Sequence, residues 1–305
     1  MQFAQLIQQG WQQHGDDPDG VATQLVDWVD QASSPAEAAQ HAALTVHVYG
    51  EHLGRFADGD ALLCRLLERG AAPDETPEAR SIWRSRAILA RCAGDEAGEA
   101  AHTARGIVPG PNGEAAARVR ILAIAASALV GQKRLDEARS TLEEALSHAG
   151  YGPDKGDSAA QALAITCNNL SCELETRTDR TEGETELMLL AAREGRRFWE
   201  IAGTWTNVER AEYRLSAAHR AAGDGRAALD HARACLGICQ ANQADGIERF
   251  FAHESLALAH HSVGEVEAAG VARAMAASSV DQIEDESMKE FCTGELAKLD
   301  KTLAS

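Results

Sequence analysis

The sequence predicts an all-α protein, a superhelical stack or solenoid of about fifteen helices paired as hairpins. Three observations carry this. Alanine recurs throughout, as in Ala115-Ala116-Ala117 and Ala125-Ala126, while aromatics are only 5% of the 305 residues, so helix formers outweigh strand formers. Apolar residues return at helical spacing, with no convincing alternating strand. A short glycine turn followed by an alanine-led helix returns at similar intervals, as a stacked array requires.

Along the chain, Gly15-Asp16-Asp17-Pro18 and Ser33-Ser34-Pro35 break the first helices. Ser34 before Pro35, with Glu37 three residues on, has the form of an N-cap with a first-turn proline. The break Ala72-Pro73-Asp74-Glu75-Thr76-Pro77 offers a cap at Thr76 with the first-turn proline Pro77. Further breaks fall at Pro109-Gly110-Pro111-Asn112-Gly113 and Gly150-Tyr151-Gly152-Pro153-Asp154. Over these lies the repeated turn: Ala93-Gly94-Asp95 leads to Ala100, Gly131-Gln132-Lys133-Arg134 to Ala138, Ala222-Gly223-Asp224 to Ala228, and Val263-Gly264-Glu265 to Ala269. The alanines are 38 residues apart from 100 to 138 and 41 from 228 to 269, and the 90 between 138 and 228 hold two units of 45.

The clearest unit places Leu122, Ala125, Ala126 and Leu129 on one helix and Ala138, Leu142 and Ala145 on the next. In this the chain resembles the tetratricopeptide repeat (TPR) family, which carries large and small residues at these seven spacings. The corresponding sets Glu212, Leu215, Ser216, His219, Ala228, Ala232, Cys235 and His253, Leu256, Ala257, His260, Ala269, Arg273, Ala276 keep five and four acceptable residues. The periods exceed the family's usual length of about 34. On this basis residues 1–75 are divergent N-terminal hairpins, 76–284 are TPR-like repeats, and 285–305 are a capping helix and tail.

The resemblance implies that the first helix of each hairpin lines a concave binding face. The stripe so defined carries Arg84, Arg91, Arg120, Arg210 and Arg220, with Tyr213 beside them, and Asn168 where the family uses asparagine to hold peptide backbone. Arginine forks suit carboxylates, so the stripe is a candidate groove for an acidic segment or a chain terminus. The competing expectation is that these arginines pair with neighbouring Glu and Asp.

Two histidine groups invite a metal reading: His41, His47 and His52 with Glu51, and His253, His260 and His261 with Glu254. Neither has zincin spacing, since His47 to His52 is one residue too long for the inverted pattern, so packed or surface histidines are expected and no metal site is assigned. No phosphate loop, nucleophile elbow or dinucleotide fingerprint occurs, and the glycine-rich stretch 106–113 lacks the Lys-Ser/Thr ending. No catalytic or cofactor-binding residue is therefore assigned. Trp11, Trp28, Trp83, Trp199 and Trp205 are expected in packing.

The formal charge of −18 disfavours nucleic acid and anionic membranes as partners. Met1 to Gly20 lacks Lys, Arg and a continuous apolar core, and the seven cysteines form no C-x-x-C pair, so a cytoplasmic protein with reduced thiols is expected. The favoured reading is a non-catalytic adaptor or scaffold that binds protein or peptide. A peptide-sensing regulatory subunit is the alternative, and a metal-dependent enzyme on a helical scaffold follows it. Terminal repeats with exposed faces can also stack into a homodimer.

Overall fold

The computed structural model describes residues 2–70, 72, 73 and 75–304; Asp74 of the predicted break lies outside them. Among the described residues the fold is all-α, with fifteen α-helices and no strand. They are α1 (Phe3–Gln13), α2 (Pro18–Trp28), α3 (Pro35–Thr45), α4 (Phe56–Glu68), α5 (Pro77–Ala93), α6 (Glu96–Gly106), α7 (Gly113–Gly131) and α8 (Leu135–His148), then α9 (Ser158–Thr176), α10 (Glu182–Ala202), α11 (Trp205–Ala221), α12 (Gly225–Ala241), α13 (Gly246–Ser262), α14 (Val266–Val280) and α15 (Glu286–Leu303). No helix is long and apolar enough to cross a membrane.

The chain divides into two compact units, Met1–Thr166 and Cys167–Ser305, the division falling inside α9. In the first, α5 packs with α6 and α7 with α8 as hairpins, and α5 also packs on α3, α4 and α7. In the second, α11 pairs with α12 and α13 with α14, and α15 lies against both helices of the last hairpin.

The predicted starts are present. Ser34 accepts from the Glu37 amide while Glu37 reaches back to cap Ser34, and Thr76 accepts from the Ala79 amide. Leu122, Ala125, Ala126, Leu129, Ala138, Leu142 and Ala145 are all buried, the alanines letting α7 and α8 approach closely. Two of the polar residues at the corresponding spacings, Glu212 and Arg273, form ion pairs. Buried Glu212 takes Arg196 Nε at 2.6 Å and His231 Nδ1 at 2.7 Å, and Arg273 forks onto Asp300 of α15 at 2.6 and 2.7 Å. Polar residues at those positions thus tie one helix to the next.

The turn between paired helices needs one residue in the left-handed region, which closes the helix by a bond from the following amide to a carbonyl five residues back. Gly94, Gly223 and Gly264 do this at φ 74°, 80° and 77°. In the α7–α8 turn the expected residue, Gly131, is instead still helical, and Lys133 adopts φ 59°, with Arg134 N bonding Leu129 O at 2.9 Å. Lysine carries a Cβ penalty in that conformation that glycine does not. Lys133→Gly is therefore expected to raise stability by about 1 kcal/mol, read as a shift of the protein's thermal midpoint.

After α3 the helix does not stop. It continues as a π-helical segment, Val46–His52, and ends where Arg55 N bonds Tyr49 O at 2.8 Å. The wider turn changes which side chains share a face, which bears on the histidines below.

Candidate functional site

In the first unit, α5 and α7 present Arg84 and Arg120 to one cavity of about 340 Å³, whose other walls include Val108, Asn112 and Asp157. Arg84 is only 7% exposed. Its Nη1 donates to Gly106 O at 2.7 Å, and Arg80 Nη1 donates to Ile107 O at 2.6 Å, so both cap the carbonyl end of α6. Gly106 is required here, because a Cβ would stand 2.6 Å from Arg84 Cγ and 3.3 Å from the Arg84 amide.

Burial, then the charges of Arg120 and Arg80, lower the Arg84 pKa to about 9. Burial likewise lowers Arg120, offset by Asp157. Among the described residues neither Arg84 nor Arg120 forms an ion pair. Asp157 is held elsewhere, accepting from the Tyr151 hydroxyl and from the Ala159 amide at 2.8 Å. The lining therefore carries two desolvated guanidinium groups against one carboxylate, an excess of positive charge in a partly enclosed space.

The other predicted groove residues divide. Arg91 is drawn into ion pairs with Glu144 at 2.6 Å and Glu99 at 3.5 Å, the paired state that competed with the groove reading. In the second unit Asn168, Arg210 and Tyr213 line one cavity of about 380 Å³ with Glu209, Glu248 and Phe251. Arg210 is paired with Glu248, and the Tyr213 hydroxyl donates to Glu254 Oε2 at 3.0 Å. Arg220 lines neither cavity, and its buried Nε has no hydrogen-bond partner.

Glu209 was not singled out from the sequence, where 47 acidic residues hide any one carboxylate. It is 1% exposed, with Oε1 accepting from Cys235 Sγ at 2.8 Å and Oε2 without a partner. Burial, reinforced by neighbouring Glu248 against the bond from Cys235, pushes its pKa up to about 7.

The histidines sort differently from their order in sequence. His41 is a core residue, its Nε2 2.9 Å from Leu25 O and its Nδ1 3.1 Å from Thr45 Oγ1. His47 and His52 stand together, and His14, from the turn after α1, joins them. Trp11 is 40% exposed and packs on this group rather than in the core, 5.1 Å from the His47 ring. Burial and the His47 charge hold the His52 pKa below its ordinary value. His253 and His260 line a separate open trough of about 770 Å³, and His260 pairs with Glu265 at 2.7 Å.

The chain matches no protein-family model, and no curated protein matches it.

Proposed function

We propose that this chain is a non-catalytic, TPR-like binding protein that captures an acidic segment or a free C-terminal carboxylate of a protein or peptide partner in the Arg84–Arg120 cavity. The observation that carries the reading is the pair of desolvated arginines without an ion-pair partner, beside a chain otherwise rich in carboxylates. A planar guanidinium held against low-dielectric walls loses hydration that an incoming carboxylate restores, and its fork favours that shape. Arg120 is the half-buried group and supplies the direct contact, while Arg84, fixed on Gly106, supplies field and a wall.

Hairpin stacking supports binding rather than chemistry as the task, because successive first helices present side chains in a row. The same reading places the protein in the cytoplasm, where its free thiols stay reduced. Affinity capture from native lysate at low and high salt tests the proposal. A partner with an acidic segment or an exposed carboxylate terminus, lost at high salt, is the expected result. A partner held equally at both salts, through a basic or apolar segment, would contradict it.

A further inference from the structure

The π-helical segment brings together side chains that an α-helix would separate. His47 and His52 are five residues apart, about 1.4 turns of an α-helix and so on different faces, but the i to i+5 repeat of a π-helix returns them to one side. Their Nε2 atoms are 3.2 Å apart. That is close to the edge of about 3.3 Å expected for two nitrogens on a tetrahedral ion with bonds of 2.0–2.1 Å. His14 approaches from the turn after α1, and one ligand atom from each of the three rings lies within 4.8 Å of the others.

Two rings are already oriented through their second nitrogen. His47 Nδ1 faces Glu51 Oε2 at 3.3 Å, and the same carboxylate oxygen accepts from Ser127 Oγ at 3.1 Å. His14 Nδ1 faces the Trp11 carbonyl at 2.7 Å, leaving Nε2 as its available donor. A carboxylate and a carbonyl behind the ligating imidazoles is the outer arrangement that fixes tautomer and raises basicity at histidine metal sites.

We propose that His14, His47 and His52 form a three-histidine site for a borderline divalent transition ion of the Zn(II) and Co(II) class, with Glu51 and the Trp11 carbonyl as orienting partners. Imidazole nitrogens select such ions over Mg(II) and Ca(II), which prefer oxygen. His52 is exposed, so the fourth position of a tetrahedron faces solvent and takes water or an external ligand. The ion would join the end of α1 to the π-helical segment and stabilise the N-terminal helices by linkage.

The test is a titration of untagged, full-length, reduced protein with Co(II), followed by displacement with Zn(II). The expected result is one ion per chain, the intense visible bands of four-coordinate Co(II), no thiolate charge-transfer band, and a raised thermal midpoint. His14→Ala and His52→Ala, both at accessible positions, should each abolish saturable binding while leaving the helical circular dichroism unchanged. Glu51→Gln should weaken binding by about 10–100-fold as an orienting partner. His253→Ala should leave the titration as it is. Absence of saturable binding at micromolar ion, or binding that survives in either His14→Ala or His52→Ala, would overturn the assignment.

Discussion

Glu209→Gln is expected to make the protein more stable at pH 8 and to leave its stability at pH 4 nearly unchanged. The Glu209 carboxyl is buried with one oxygen unpartnered, and its pKa is raised to about 7 in the folded chain. It therefore holds a proton in the native state through a range where the unfolded chain has released it. The stability that this protonation gives is fully present below the unfolded value of about 4.3 and is lost as pH rises through about 7. The loss is on the order of a few kcal/mol, at about 1.36 kcal/mol per pH unit of difference. Glutamine has no charge to desolvate, so the variant removes this slope. Urea unfolding of both proteins at pH 4 and pH 8 measures it, and the quantity to compare is the change in their difference, because Glu212, lowered by His231 and Arg196 against burial, contributes with the opposite sign. An unchanged difference between the two pH values would mean that burial does not raise the Glu209 pKa.

Gly131→Ala should destabilise the first unit by about 2–3 kcal/mol, although alanine is the better helix former by about 1 kcal/mol. The reason is contact. A Cβ on Gly131 would stand 2.5 Å from the Glu51 carbonyl oxygen and 3.2 Å from its carbonyl carbon, which are backbone atoms and cannot rotate aside. Gln132 Nε2 also bonds that oxygen at 2.7 Å, so the end of α7 is fastened to the π-helical segment at this point. The substitution should lower the urea midpoint and also weaken any ion held by His47 and His52, because the segment carrying them must shift. A neutral or stabilising effect would show that α7 and this segment lie further apart.

The core of the α7–α8 hairpin was legible in the sequence because apolar periodicity dictates it: its seven residues are buried together. Caps at Ser34 and Thr76 were legible because a hydroxyl stands directly before a proline, with Glu37 at the capping-box offset from Ser34. Gly131 was misread as the turn residue, since a glycine near a helix end serves either a left-handed turn or close backbone approach, and spacing alone does not separate them. Arg84 and Arg120 were placed on one stripe by helical register, and both line one cavity. Arg91 and Arg210 share the stripe, yet their state depends on Glu144 and Glu248, distant in sequence. The histidine group was obscured for a different reason. His14 lies 33 residues before His47, and the spacing to His52 has meaning only once the helix there is π rather than α.

The central claim, that the Arg84–Arg120 cavity is the partner's anion site, is tested most directly by the affinity of the captured partner's acidic peptide for wild type, Arg120→Gln and Arg91→Gln. All three are measured by calorimetry at the same salt. Arg120→Gln should weaken binding by about 10-fold or more, the scale of a lost charge-assisted hydrogen bond in a desolvated site. Arg91→Gln should bind like wild type, because Arg91 is already engaged by Glu144 and Glu99. Equal affinity for wild type and Arg120→Gln would contradict the account.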